Sequence, residues 1–310
     1  MEFKHIPVML NEVIDGLNIK KDGIYIDCTI GGGGHSSEIA KNLDRDGHLY
    51  GFDRDENAVK ASSERLSNFS NVTVIRANFK EAKQILEKQL IFKVDGILID
   101  LGVSSHQIDE GERGFSFVHN GRLDMRMDRR QKLTAYDIVN KYSKDELKRI
   151  FYEYGEEEFT KPIVENILKA RTIKPIETTF ELKEIIENSM PKKVVFSRGG
   201  ASKKVFQALR IEVNGELEGL KETISEFIDM LNPNGRIAIL TFHSLEDRIV
   251  KTIFKEKATD CICPPKTPIC ICGHKAEGKL VNRKPILASK EELEINSRSS
   301  CAKLRVFEKI

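Results

Sequence analysis

The sequence predicts an α/β protein whose doubly wound parallel sheet carries an inserted all-helical domain between strands four and five. Short β-branched runs alternate with segments of helical spacing through the first hundred residues. Most of these runs are apolar enough for a sheet buried on both faces. The fourth and fifth runs are separated by far more residues than the roughly 30 that a crossover helix and its loops need. Together these observations indicate a doubly wound sheet with an insertion.

Four strands and three helices are expected before the insertion. The strands are Ile24–Ile30, His48–Asp53, Val72–Ala77 and Val94–Leu101, and the helices between them are Ser36–Leu43, Glu56–Leu66 and Glu81–Leu90. A fifth strand, Arg236–Phe242, is expected after the helix-like stretch Lys203–Leu231 and a stop at Asn232–Gly235. The tail predicts two last strands, Lys279–Ile286 and Ala302–Lys309, antiparallel at the sheet edge.

The surplus between strands four and five is too long for a loop and predicts a separate domain. We expect the sheet domain to comprise residues 1–108 and 203–310, and the inserted domain to comprise residues 109–202. The insert has helical spacing and lacks strand alternation. Its expected helices are Ala135–Tyr142, Lys144–Tyr154, Phe159–Arg171 and Thr179–Asn188.

Composition excludes several classes of protein. The chain has 310 residues, 40% hydrophobic and 32% charged, which is typical of an ordinary globular protein. A net charge of only +2 gives no global sign of nucleic-acid binding, so local clusters must carry that argument. No apolar run approaches the length of a signal peptide core or a membrane span. A cytoplasmic protein that does not associate with membranes is therefore expected.

A run of four glycines, Gly31–Gly34, lies between the first strand and the next helix, and Asp53 ends the second strand. A glycine turn lets a ligand approach the backbone closely, and a carboxylate about twenty residues later is typical of ribose recognition. A phosphate-binding P-loop is excluded because no lysine closes the run. A dinucleotide loop is disfavoured because the third glycine position holds Ser36. S-adenosylmethionine remains, against the alternative of a purely structural turn.

Four other residues of the sheet domain fit the same ligand, each with a structural alternative. Asp27, at the end of the first strand, suits the amino group of the methionine moiety. Phe79 follows the third strand and either packs on the adenine or belongs to the core. Asp100 ends the fourth strand at the ligand-binding edge and either binds an amine or caps the loop. His35 either contacts the methionine carboxylate or only opens the helix.

With these residues in place, the chain resembles the bacterial 16S rRNA (cytosine-N4) methyltransferases, the RsmH/MraW group. The resemblance covers nearly the whole chain, and the order of its blocks is highly specific. The blocks are His5–Val13, Gly31–Ser36, Gly51–Asp55, Asp100–Asp109, Arg113–Phe117, Leu123–Asp128, Tyr154–Glu156, Phe206–Ile211 and Thr241–Ile249. One block departs from the family, because Gly200-Ala201-Ser202 stands where a His-Pro-Ala-like element is usual.

The resemblance implies methyl transfer from S-adenosylmethionine to the N4 amine of a cytidine in 16S rRNA, in the decoding region of the small ribosomal subunit. It also implies a Rossmann-like methyltransferase domain with a helical insert. The implied cofactor contacts are Gly33, Gly34, His35, Asp53, Phe79, Asp100 and Gln107.

Methyl transfer of this kind is an in-line displacement, so catalysis consists mostly of alignment and electrostatics. The lone pair of a cytosine amine is conjugated with the ring, which makes the amine a poor nucleophile. A hydrogen-bond acceptor for the amine protons would localise this lone pair on the nitrogen. The hypothesis is that Asp100, or a carbonyl of residues 101–104, is that acceptor. Phe115 and Phe117 are the candidates for stacking on the base, with a core role equally open. His243 follows the fifth strand at the same edge and could approach the base, but a structural histidine is the favoured interpretation.

Two arginine- and lysine-rich segments are the candidates for holding RNA. Residues 122–130 contain four arginines, and residues 191–204 contain five basic and no acidic residues. Such residues suit phosphate contacts, and ordinary solvated charge is the alternative.

Six cysteines are too few and too clustered for a disulfide framework. Four of them form two Cys-x-Cys pairs, Cys261 with Cys263 and Cys270 with Cys272. These thiols could hold a structural zinc or simply be reduced, and both interpretations stay open. No metal is expected in the chemistry itself.

Overall fold

A computed structural model describes residues 7–198, 202–264 and 269–310. The chain divides into two compact units. The first unit comprises Met1–Gly102 with Leu217–Ile310, and the second comprises Val103–Glu216. The departure at Gly200-Ala201-Ser202 falls largely outside the described residues. None of the helices in the described part of the chain is long and apolar enough to cross a membrane.

The first unit contains a mixed sheet with eight strands among the described residues. Strands β1 to β5 are parallel in the order β3-β2-β1-β4-β5. Strand β8 runs antiparallel beside β5, and both β6 and β7 pair with β8. The predicted doubly wound α/β sheet is thus confirmed. The strands are β1 Ile24–Asp27, β2 His48–Asp53, β3 Val72–Arg76, β4 Val94–Asp100, β5 Leu231–Thr241, β6 Gly278–Leu280, β7 Ile286–Leu287 and β8 Lys303–Lys309.

Helices follow the strands of the first unit and make up the regular structure of the second. Short 3₁₀ turns add to them at Phe79–Glu81, Gly111–Arg113 and Ser297–Cys301. In chain order the helices are α1 Leu10–Leu17, α2 Gly34–Asn42, α3 Glu56–Arg65, α4 Ala82–Glu87, α5 Ser105–Asp109, α6 Ala135–Lys141, α7 Lys144–Glu153, α8 Thr160–Ile173, α9 Thr179–Asn188, α10 Lys192–Arg198, α11 Lys203–Asn214, α12 Leu220–Met230, α13 Ser244–Lys257 and α14 Lys290–Ile295.

The sheet of the first unit is buried on both faces, as its apolar strands predict. On β4, the side chains of Ile97 and Ile99 belong to one apolar cluster, which includes Phe227 of α12. The intervening Leu98 belongs to the opposite cluster, which includes Val13 of α1. Alternate side chains of a strand point to opposite faces. The side chains of β4 therefore contribute to the apolar clusters on both faces of the sheet. Each such fully buried side chain contributes about 1.5–3 kcal/mol.

The second unit has its own apolar core, formed by side chains of α6, α7, α8, α9 and α11. The expected segment 109–202 lies inside this unit, and the unit extends beyond it at both ends. Helix α11 belongs here because Val205 and Leu209 are fully buried in the same core as Ile150 and Phe151 of α7. Its regular elements among the described residues are helical, apart from one isolated bridge between Arg122 and Thr178.

Three local expectations were wrong. The stretch Lys203–Leu231 is two helices, because Gly215 and Gly219 adopt φ of 56° and 64° and end α11 and begin α12. Residues 232–235, where a break before the fifth strand was expected, lie within β5. They form an irregularity in its pairing with β4, between the paired residues Val94–Leu231 and Gly96–Arg236. The tail segment Lys279–Ile286 is not one strand, since β6 and β7 are separate short strands.

Candidate cofactor and active site

The glycine run lies at the carboxyl edge of the sheet, where parallel strands end together. Gly31 and Gly33 have φ of 50° and 75°, a conformation that only glycine adopts without cost. Helix α2 begins directly after Gly33 and has no side-chain cap on its first N–H groups. A loop of this kind presents backbone N–H groups to a ligand.

Gly34 has a separate structural reason to be glycine. A Cβ atom added to Gly34 would lie 2.4 Å from Cγ of Pro7. The side chain of Pro7 therefore packs directly over the start of α2. The implied cofactor contact of Gly34 remains a prediction.

Asp53 ties the end of β2 to the glycine run. Its Oδ2 accepts the N–H of Gly31 at 3.0 Å, and its Oδ1 accepts the N–H of Asp55 at 2.9 Å. Burial raises the pKa of Asp53 to about 6, although these two hydrogen bonds oppose the rise. Each carboxylate oxygen has a second lone pair, so the carboxylate keeps acceptor capacity for ribose hydroxyls.

Asp27 holds the loop, a role that the sequence did not reveal. Its carboxylate is almost fully buried and accepts the hydroxyl of Ser36 at 2.6 Å and the N–H of Thr29 at 3.1 Å. Burial raises the pKa of Asp27 to about 6. These contacts give Asp27 a structural role in the β1–α2 turn, and its expected contact with a ligand amine stays a prediction. Thr29 also accepts the N–H of Asp100 with its Oγ1, at 2.7 Å.

The carboxyl group of Asp100 has one buried oxygen whose hydrogen-bonding capacity is unused within the described part of the chain. Its Oδ1 is buried and makes no hydrogen bond to any described residue, although 24% of the side chain remains exposed. Burial and the charges of Asp27 and Glu246 raise its pKa to about 8. A buried acceptor without a donor is costly, which makes this oxygen suited to the N–H group of a ligand.

His35, the second residue of α2, is buried next to Asp100. Its Nε2 lies 2.9 Å from the carbonyl oxygen of Val8, which can only accept, so this nitrogen carries the proton. Its Nδ1 lies 3.9 Å from Oδ2 of Asp100. His35 therefore links the N-terminal segment to the edge of the sheet, and its contact with a cofactor stays a prediction.

Phe79 and His243 have structural environments. Phe79 begins the 3₁₀ turn after β3, is partly buried, and packs against the apolar core beside α12. Part of its side chain is accessible, so a contact with adenine remains a prediction. His243 caps α13, and its Nε2 lies 3.0 Å from Oε1 of Glu246. The structural interpretation of His243 fits these contacts.

In the second unit, Gln107 is buried and closes a capping box at the start of α5. Its Oε1 accepts the N–H of Ser104 at 3.1 Å. Phe115 and Phe117 are partly buried against the core of this unit, and Phe117 packs edge-on against Phe206 with 5.4 Å between ring centroids. Core packing thus accounts for both phenylalanines. The expected cofactor contact of Gln107 remains a prediction.

The two basic segments of the second unit differ in how much charge they leave free. Arg126 makes a two-pronged ion pair with Asp124, and Arg130 makes another with Asp128. These pairs neutralise much of the arginine-rich segment 122–130. In the other segment, Lys192, Lys193 and Lys203 are exposed on α10 and α11.

Lys204 is the exception in that second segment, because its Nζ donates to the carbonyl of Glu156 at 2.7 Å. Lys203 is therefore exposed, whereas the charge of Lys204 is directed at a backbone carbonyl of the same unit. The exposed lysines of α10, together with Lys203, are the better candidates for phosphate contacts.

Comparison with known proteins adds an independent finding. The sequence model of the MraW methylase family matches residues 2–310. Proteins named "Ribosomal RNA small subunit methyltransferase H" from Finegoldia magna and Clostridium botulinum are 54% and 55% identical to this chain, and each alignment covers 100% of both proteins. The protein of that name from Clostridioides difficile is 52% identical with the same coverage. The chain therefore belongs to the MraW methylase family.

Proposed function

We propose that this protein is an S-adenosylmethionine-dependent methyltransferase that acts on the N4 amine of a cytidine in 16S rRNA, in the decoding region of the small ribosomal subunit. The observation that carries the proposal is the match to the methylase family along residues 2–310, with relatives of the small-subunit rRNA methyltransferase name at 52–55% identity over their full length. A ribosomal substrate would place the reaction in the cytoplasm.

The residues at the carboxyl edge of the first unit fit the cofactor. S-adenosylmethionine supplies a methyl group on a positively charged sulfur. Gly31 and Gly33 open the backbone beside the start of α2, where N–H groups suit a carboxylate. Asp53 keeps acceptor lone pairs for ribose hydroxyls. The buried Oδ1 of Asp100 can accept a hydrogen bond from a ligand, since no described residue donates one to it. Phe79 is only partly buried, which leaves apolar surface for the adenine.

Asp100 is the residue that we assign to the chemistry. A carboxylate that accepts a hydrogen bond from the cytosine amine would localise the lone pair of the nitrogen and stabilise the positive charge that develops on it. The pKa of about 8 shows that the fold disfavours the charged form of Asp100. A neighbouring positive charge favours that charged form, so the carboxyl group responds most strongly to a cationic ligand and a developing ammonium. The backbone carbonyls of residues 101–104 are the alternative acceptors.

The second unit is the expected site of RNA binding. Its exposed lysines on α10 and α11, Lys192, Lys193 and Lys203, offer charge for the phosphate backbone. Contacts of this kind position an RNA without reading its sequence. The choice of cytidine must then come from groups that touch the base.

The test is transfer of a labelled methyl group from S-adenosylmethionine to assembled small subunits, naked 16S rRNA and tRNA, followed by nucleoside analysis. We expect N4-methylcytidine in 16S rRNA and no label in tRNA. Label in tRNA or in a ribosomal protein would assign the same chemistry to another substrate. Cofactor binding without transfer to any of the three would indicate a non-catalytic RNA-binding factor.

A further inference from the structure

The segment between α13 and β6 contains four cysteine thiols that converge on one point. The Sγ atom of Cys270 lies 3.5 Å from those of Cys261 and Cys272 and 4.0 Å from that of Cys263. The Sγ atoms of Cys261 and Cys272 are 3.8 Å apart, and all four lie within 4.8 Å of one another. Residues 265–268, between the two pairs, lie outside the described part of the chain.

These distances match a tetrahedral metal site and not a disulfide. Sulfur atoms in a disulfide are about 2.05 Å apart, far closer than any pair here. Four thiolates at about 2.3 Å from a central zinc form a tetrahedron with edges of about 3.8 Å. Four of the six separations are 3.5–4.0 Å and centre on that edge length, and the other two are within 4.8 Å. The Cys-x-Cys spacing also suits the site, because residues two apart on an extended segment point to the same side.

A backbone N–H group beside the thiols makes the kind of hydrogen bond to sulfur that is usual in metal–thiolate sites. The N–H of Ile271 lies 3.5 Å from Sγ of Cys263. Hydrogen bonds to a ligand sulfur hold it in place and stabilise its thiolate form.

The described residues of the segment form no apolar core that could hold it without a metal. Ile269 and Ile271 are 77% and 83% exposed, and Ile262 is 49% exposed. Its base is fixed to α13, where the N–H of Glu277 donates to the carbonyl of Lys257 at 2.8 Å and Nε2 of His274 lies 2.9 Å from the carbonyl of Glu256. Beyond that base, the described contacts between the two halves of the segment are those of the thiols and a hydrogen bond from the N–H of Ala276 to Asp260 at 3.2 Å.

We propose that Cys261, Cys263, Cys270 and Cys272 bind one structural zinc ion as four thiolates. A site with four protein ligands has no open position, so the metal has no part in methyl transfer. Its role is to fix the segment that connects α13 to the last strands of the sheet. Metal binding and folding of this segment are then coupled.

Zinc content of the purified protein, made without a histidine tag and measured by mass spectrometry, tests the proposal. We expect one zinc per chain in the unchanged protein and in Cys301→Ser, whose exposed thiol lies outside the cluster. The double variant Cys261→Ser/Cys272→Ser should lose at least nine-tenths of the metal. Titration with cobalt should give a thiolate-to-cobalt absorption in the first two proteins and not in the double variant.

Proteolysis adds a readout of the segment itself. Chelation of zinc should expose residues 258–277 to cleavage in the unchanged protein, while the double variant should be cleaved without chelator. Protein from zinc-supplemented medium that contains no zinc and six free thiols would overturn the proposal. So would a disulfide within the cluster, or iron as the bound metal. None of these results bears on methyl transfer, so the proposed function is tested separately.

Discussion

Replacing Asp100 by asparagine should stabilise the fold at high pH while abolishing its activity. The pKa of Asp100 is raised from 3.8 to about 8 by burial and by Asp27 and Glu246. The fold therefore binds this proton more tightly than the unfolded chain does. Stability from the protonated form is fully present below pH 3.8 and is lost as pH rises through about 8. Asparagine cannot ionise, so the variant escapes that loss.

The magnitude follows from the pKa shift. About four pKa units at 1.36 kcal/mol each set an upper limit of about 6 kcal/mol. With 24% of the side chain exposed, solvent screening reduces the expected cost to roughly half, ~3 kcal/mol. Between pH 5 and pH 8 the unfolding free energy of Asp100→Asn should rise relative to the unchanged protein by ~2 kcal/mol. Any penalty for burying the new amide is independent of pH and leaves this difference intact.

The assay is urea unfolding followed by circular dichroism at pH 5 and pH 8, at constant ionic strength. Asp95→Asn is the matched control with the opposite sign. Burial raises the pKa of Asp95, but hydrogen bonds from Lys20 Nζ and the N–H of Ile24 outweigh it and hold the pKa below 3.8. Its stabilisation is present throughout this pH range, so Asp95→Asn should be destabilised equally at both values. A stability difference for Asp100→Asn that does not grow with pH would refute the reasoning.

Two further predictions concern the loop and the RNA. Ser36→Ala removes the 2.6 Å hydrogen bond to Asp27, so we expect it to raise the pKa of Asp27 above about 6. The variant should be less stable at pH 7.5 by ~1.5–3 kcal/mol and should bind the cofactor more weakly. An unchanged free energy of unfolding and an unchanged cofactor affinity in calorimetry would contradict the role of Asp27. Lys192→Glu/Lys193→Glu should weaken binding to 16S rRNA several-fold and lower its salt dependence, whereas Lys169→Glu, exposed on α8, should not. Equal affinities of these two variants in filter binding would remove α10 from the RNA interface.

The strands of the sheet domain could be predicted because burial on both faces leaves a clear apolar pattern. The break at Gly215 and Gly219 was missed because apolar residues with helical spacing continue on both sides of it. Pattern alone does not reveal the positive φ of the two glycines that end α11 and begin α12.

For the candidate site, the place was predictable from the sequence, whereas the contacts of its side chains were not. Glycines and carboxylates at strand ends identified its place, since the carboxyl ends of parallel strands meet. The partners of Asp27 were not predictable, because Ser36 is brought to it only by the turn that the glycines form. The ion pairs of Arg126 and Arg130 were missed as well, although each aspartate lies two residues away. Composition counts charges, and only geometry shows which of them are paired.

We propose that the carboxyl edge around Asp100 is the centre of methyl transfer. Single-turnover transfer to small subunits at saturating cofactor, with cofactor binding measured calorimetrically on the same samples, tests it most directly. For Asp100→Ala we predict a fall in the transfer rate of at least ~10²-fold, larger than any loss of cofactor affinity. Transfer by Asp100→Ala at the rate of the unchanged protein would contradict the account.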